Sequence, residues 1–467
     1  MSQADWAFRP IRELAQRIRA GELTPTALAE HCLERLDTVG RSLNAVVTLT
    51  PERALREARQ AEEELRAGID RGPLHGIPYG AKDLLAAAGY PTTWGAAPLR
   101  DQRFAKDAAA VARLRDAGAV LVAKLATVEL AGGMGYQQPN ASLTGPGINP
   151  WNRSAWSGGS SSGPGSAVAA GVVPFALGTE TWGSILTPAS YCGISGFRPS
   201  YGRVSRFGAM PLSWTLDKIG PMARSADDCG LVLAAISGPD PRDPATLAFP
   251  SSYDDRPEAE PAHGFRIGVL DDALAHCQPE VAANFHAALA VLAEIATLEP
   301  VHLPTFPYTE VATLILWAEA ASALEPLLQS GAVGELTAPE DRTGGYAGLV
   351  IPAVDYLRAQ RIRRQIVAAL DRVFSQYDAI VAPATAVVAS PLDQRFRDYA
   401  GERRLVISAA SNLAGVPAIS VPTGFGERGL PTGMQIIGRY GADGRVLAVA
   451  RAYQQRTDWH LRRPPEG

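Results

Sequence analysis

The chain has 467 residues, enough to bury a sizeable core, and its 46% hydrophobic content is ordinary for a water-soluble protein. With 44 basic and 48 acidic residues the net charge is −4, which gives no electrostatic reason to expect nucleic acid or an anionic membrane as a partner. The N-terminus lacks the apolar core of a secretory signal, no run of ~18 apolar residues occurs, and Cys32, Cys192, Cys229 and Cys277 form no CxxC pair. No membrane span, zinc site or disulfide framework is expected, and a reduced cytoplasm fits best.

The first 70 residues read as helical. Thr24-Pro25 supplies an N-cap followed by proline at the first helical position, opening TALAEHCLERLDTV. Pro51 opens a second, strongly charged helix that runs to Gly68, with a thin apolar stripe that suits an outer position. From about residue 74 short apolar runs alternate with helical segments: IPYGA, AAAVARLRDAG, VLVAKL, SAVAAG, VPFALG. FRIGVL before PEVAANFHAALAVLAEIA, and YLRAQRIRRQIVAALDRVF before AIVAP, repeat the theme. PAISVP and GMQIIG then read as strands, and GRVLAVARAYQQR as a final helix. Strand–helix alternation predicts a sheet covered by helices on both faces. Residues 239–264, rich in proline and charge, read as a surface excursion within one fold.

Three stretches carry candidate chemistry. The first, Trp156 to Ser166, reads WSGGSSSGPGS; it is either a flexible linker or a loop whose backbone closely approaches a ligand. Gly159-Ser160-Ser161-Ser162-Gly163 also matches G-x-S-x-G, but the polar INPWNRSAWS before it is not the buried strand that a nucleophile elbow requires. The second, GTETWGSILTPA from Gly178, places Ser184 at a strand-to-helix turn. There it is either an N-cap or a nucleophile with neighbouring amides aimed at a developing oxyanion. The third, HGIPYGAKDL, ends an apolar run at Lys82 beside Asp83, and Lys124 in VLVAKL sits in a similar context. Such a lysine usually snorkels or pairs with an acid. Only four of the 44 basic residues are lysines, so each is a less routine choice than in most chains.

Together these stretches resemble the amidase signature family: GIPYGAKD its lysine block, SGGSSSG its glycine–serine loop, and GTETWGSI its nucleophile turn. The two serines lie 24 residues apart (184 − 160), as in the family pattern, and the likeness continues through CGISGFRPSYGRVSRFG, LDKIGPMARS, SNLAGVPAISVP and GLPTGMQIIG. The resemblance implies a Ser184–Ser160–Lys82 triad, with Ser184 as nucleophile, Ser160 as a bridging serine on a cis peptide, and Lys82 as general base. Thr181, Trp182 and Gly183 would supply oxyanion-hole amides; Gly159, Ser161, Trp182 and Leu186 would face the substrate; Lys124 has no catalytic assignment. No metal and no cofactor is implied. Serine needs a base to become nucleophilic, and lysine serves only when neutral, which burial can achieve.

Three positions depart from the family pattern: Trp182 for a small residue, Glu180 for Asp, and Leu186 for Arg. Leu405 falls near the place of an acid that would hold the ammonium end of glutamine, while Arg363 is either a match for a carboxylate binder or, in its Arg-rich helix, a surface or structural residue, which is the preferred reading. From these substitutions we expect an amidohydrolase for an uncharged, partly apolar amide, carbamate or ester. Two alternatives are the glutaminase subunit of a tRNA-dependent amidotransferase and a catalytically silent scaffold. Expected partners are a small-molecule substrate, no nucleic acid, no membrane, and by resemblance a second copy in a homodimer. The expected fold is one α/β/α domain over residues 1–467 with a twisted mixed sheet, the segment 1–70 outside it and 306–352 covering the pocket. The aliphatics and Trp317 of that segment read either as an apolar subsite or as a core helix.

Overall fold

The structure is a computed structural model that describes residues 3–250 and 263–465. The strands are β1 (Val46–Leu49), β2 (Pro78–Lys82), β3 (Val120–Leu125), β4 (Ile148–Asn149), β5 (Asn152–Trp156), β6 (Phe175–Glu180) and β7 (Ser195–Arg198). They continue with β8 (Lys218–Ala223), β9 (Phe265–Val269), β10 (Ala296–Pro300), β11 (Ala379–Pro383), β12 (Ala418–Phe425) and β13 (Pro431–Ile437). Eleven of them form one sheet in the order β1-β3-β2-β6-β8-β7-β12-β13-β11-β9-β10; β4 and β5 make a separate hairpin. The sheet is mixed. β3, β2 and β6 run parallel, as do β11, β9 and β10, while the strands from β6 through β8, β7, β12 and β13 to β11 pair antiparallel.

Both faces are buried, as expected. In β11 Ala379 and Val381 join one apolar cluster while Ile380 and Ala382 join another. This is the period-two signature of a strand covered on two sides. One layer contains the helices Ala226–Ile236, Pro279–Leu292 and Asp443–Gln454, with Val232, Phe285 and Val449 in the core. The other contains Tyr308–Ala323, Ala353–Phe374 and Val406–Ala414, with Ile315, Ile366 and Leu413.

The helix starts follow the local rules. Thr24 Oγ1 accepts the Ala27 amide at 3.1 Å ahead of Pro25–Arg35. Pro51–Arg66 stops two residues before Gly68, whose φ is +80°. Helix Ile11–Arg19 and helix Pro25–Arg35 bury Ile11, Leu14 and Leu28 in the main cluster. Residues 251–262 of the proline-rich excursion lie outside the described residues. Among the described residues no helix is long and apolar enough to cross a membrane.

Candidate active site

Three neighbouring elements bring the candidate residues together. β2 ends at Lys82 and pairs in parallel with β6, so the lysine and the turn that follows β6 emerge at the same sheet edge. The small-residue helix Ser162–Ala169 packs against both strands and carries the serine loop at its N-terminal end. Glycine is required there: a Cβ on Gly163 would lie 2.4 Å from Ala126 N and 2.5 Å from Ala45 O.

Lys82 Nζ lies 2.7 Å from Ser160 Oγ and 2.9 Å from Thr179 Oγ1, and both Lys82 and Ser160 are fully buried. The Gly159–Ser160 peptide is cis. Burial holds the Lys82 amine well below the usual lysine range, opposed by the charges of Asp217 and Glu180. A neutral amine has a lone pair that can accept the Ser160 hydroxyl proton.

Ser184 is half-buried, and its carbonyl accepts the Ser161 amide at 3.3 Å. Its hydroxyl has no hydrogen-bond partner among the described residues, and neither do the amides of Thr181, Trp182 and Gly183. Gly183 takes φ +86°, a left-handed conformation that glycine adopts without steric cost. The turn is anchored from below. Buried Glu180 accepts the Ile185 amide at 2.9 Å and the Leu186 amide at 3.0 Å through one oxygen. Its other oxygen pairs with Arg198 Nη1 at 2.8 Å and Asn412 Nδ2 at 3.2 Å. Burial pushes the Glu180 carboxyl up, but Arg198 and Lys218 outweigh it and hold the group below its ordinary value.

The remaining expected site residues separate into two groups. Gly159 and Ser161 lie inside the loop; the Ser161 hydroxyl is engaged by the Thr179 backbone at 3.3 Å. Trp182 is partly exposed and packs on the apolar cluster. Leu186, expected to face the substrate, is buried in that cluster with Leu216, Ile407 and Leu413. Arg363 is half-buried and holds structure together: it donates to Leu413 O, Thr215 Oγ1 and Thr215 O at 2.8–2.9 Å. Leu405 lines a cavity of about 310 Å³ with Leu303, Phe306 and Tyr308.

Sequence reasoning missed Thr179, Asp217 and Lys218. Asp217 accepts the Thr181 hydroxyl at 2.6 Å and the Leu212 and Ser213 amides at 2.9 Å, fixing the first residue of the nucleophile turn. Lys218 Nζ donates to Asn412 Oδ1 at 2.8 Å. The rarity of lysine was a usable signal, because Lys82, Lys124 and Lys218 are all buried. Among the described residues no three His, Cys, Asp or Glu side chains are grouped to hold a metal.

The profile of the Amidase family matches residues 27–447. A relative from Chloroflexus aggregans, named as a subunit of glutamyl-tRNA(Gln) amidotransferase, is 39% identical, and the alignment covers 96% of each chain. Among solved structures, native peptide amidase from Stenotrophomonas maltophilia superposes with TM-score 0.84 at 34% identity, covering 98% of each chain. The corresponding glutamyl-tRNA(Gln) amidotransferase subunit from Thermotoga maritima superposes with TM-score 0.78 at 29% identity, covering 97% of this chain and 96% of that one.

These findings correct two expectations. Relatives at 36–39% identity over nearly the full length carry the amidotransferase-subunit name, which displaces the reading of an amidohydrolase for an uncharged, partly apolar substrate. One physical reason is that Leu186, from which an apolar site is inferred, is buried among Leu216, Ile407 and Leu413, where a leucine is required by packing whatever the polarity of the substrate. The same relatives overturn the expectation that only a small molecule and a second copy are partners, since their name denotes one component of a larger enzyme. Protein-binding surfaces resemble ordinary surface in overall polarity and leave no short motif to read. With its profile matched over residues 27–447 and full-length relatives above 30% identity, the chain belongs to the amidase signature family of C–N hydrolases.

Proposed function

We propose that this chain is the amide-hydrolysing subunit of a glutamine-dependent amidotransferase. The observation that carries the reading is the run of relatives of that name at 36–39% identity, aligned end to end. In this reading Ser184 attacks the side-chain carboxamide carbon. Its proton passes through Ser160 to the neutral Lys82 amine, 2.7 Å from Ser160 Oγ. The free amides of Thr181, Trp182 and Gly183 receive the oxyanion. The proton returns to the leaving nitrogen, ammonia departs, and water resolves the acyl-enzyme by the same relay. Arg363, tethered by Thr215 and Leu413, supplies the cation for the α-carboxylate.

The segment 306–352 serves as the cover. Its support is Glu319, which accepts from Ser213 Oγ at 2.5 Å and Thr215 Oγ1 at 2.9 Å, on the loop that leads to Asp217. Because Leu405 is apolar, the ammonium end of glutamine lacks the acid of the family pattern, and the isolated chain should bind glutamine weakly.

The test is purification from the source cell by a tag on this chain. The expected result is stoichiometric co-purification of partner subunits and glutamine-dependent ammonia release that Ser184→Ala abolishes. A chain that elutes alone and leaves glutamine intact while hydrolysing an anilide would overturn the reading.

A further inference from the structure

The proposed relay needs Lys82 uncharged, yet the next residue is an acid. Asp83 is fully buried, and an unpaired carboxylate so close would favour the ammonium form of Lys82. Asp83 is the first residue past β2, in the turn that follows it, and its carboxylate makes its hydrogen bonds on the β3 side rather than to Lys82. On that side it meets Lys124, which stands opposite Ala81 in the β2–β3 register. Lys124 Nζ lies 2.6 Å from Asp83 Oδ1 and 3.0 Å from Thr92 Oγ1. The other oxygen, Oδ2, accepts the Thr93 amide at 2.9 Å and the Thr93 hydroxyl at 2.5 Å.

The surrounding charges are accounted for. Arg53 is the further cation near Lys124, and it is itself paired with Asp107 at 2.9 Å and Glu57 at 2.7 Å. Burial at Lys82 is opposed by the charges of Asp217 and Glu180, each held by its own donors. Lys124 is fully buried and takes no part in the relay, so its position calls for another role.

We propose that Lys124 is a positioning residue whose ammonium neutralises Asp83 and so keeps the neighbouring Lys82 available as a base. The proposal rests on the Ser184–Ser160–Lys82 reading. It makes Lys124 and Asp83 a charge pair with opposite effects on the same relay.

The test reads the pH dependence of Ser184 labelling by a fluorophosphonate, which reports the relay without requiring that glutamine be the substrate. In Lys124→Met the stranded carboxylate moves the acid limb of the labelling rate up by about one pH unit. In Asp83→Asn the stranded ammonium moves it down by a similar amount. The double variant Lys124→Met/Asp83→Asn, which leaves no buried charge at the pair, returns the limb to the parent position. If Lys124→Met does not fold, Asp83→Asn and the double variant still decide the matter. Limbs that stay in place, or that move in the same direction in both single variants, overturn the proposal. Labelling that persists unchanged in Lys82→Met overturns the relay itself, and the proposal with it.

Discussion

Replacing Glu180 by alanine should destabilise the protein severely. The carboxylate is fully buried and meets four donors: Arg198 Nη1, Asn412 Nδ2 and the amides of Ile185 and Leu186. Arg198 is fully buried too, so its guanidinium would be left without its countercharge. Breaking a buried pair from one side costs about 3–5 kcal/mol. Each amide left without an acceptor adds about 1–3 kcal/mol, partly relieved where water fills the vacated space. The sum exceeds about 4 kcal/mol, a large share of a typical total stability of about 5–15 kcal/mol. Urea unfolding followed by circular dichroism should show the midpoint lowered by more than about 1 M, taking a slope near 3 kcal/mol per M. Adding Arg198→Met to Glu180→Ala should restore part of the loss, because the stranded charge is then gone. A Glu180→Ala stability within about 1 kcal/mol of the parent would refute the reasoning, as would a double variant no more stable than the single one.

The other predictions are simpler to test. Lys82→Met should lower the acylation rate by about 10²–10⁴-fold while costing about 1–3 kcal/mol of stability, since Ser160 Oγ and Thr179 Oγ1 lose a hydrogen-bond partner; stopped-flow acylation and urea unfolding measured together check both halves. Because burial holds the folded Lys82 below the ordinary lysine value of 10.5, its base form is already present below that pH. Activity should therefore rise with pH along a limb that lies below 10.5, and a limb at or above 10.5 contradicts the assignment. Gly163→Ala should cost about 1–3 kcal/mol by forcing the serine-loop helix off the Ala126 and Ala45 backbones, readable as a shifted unfolding midpoint.

Much of the site was legible because its chemistry is local. A lysine at the end of an apolar run, a glycine–serine loop and a serine after a strand each occupy a few consecutive residues, and the fold brings those segments to one edge. What was not legible depends on long-range placement. Thr179 and Asp217 reach the site by strand register and loop packing, 97 residues from Lys82 and 36 from Thr181. The burial of Leu186 was likewise not legible, because distance along the chain does not give packing: as the first residue of a helix it lies among Leu216, Ile407 and Leu413. Central strands β7 and β8 were hard to see because SGFR and KIGPMA lack alternation and contain glycine and proline. A Cβ on Gly220 would lie 2.0 Å from Phe197 O, so close packing, not strand propensity, sets that residue. The helix Tyr308–Ala323 resolves the two readings of its aliphatics in part, since Val311 and Ile315 belong to the core while Trp317 is partly exposed and a Cβ on Gly135 would lie 3.2 Å from its ring.

The proposed chemistry turns on which hydroxyl becomes acylated, and peptide mapping by mass spectrometry after fluorophosphonate treatment of the full chain measures that directly. A single adduct on Ser184, slowed strongly in Lys82→Met, is the expected result. An adduct on Ser161 or Ser160, or one on Ser184 that forms as fast without the lysine, would contradict it.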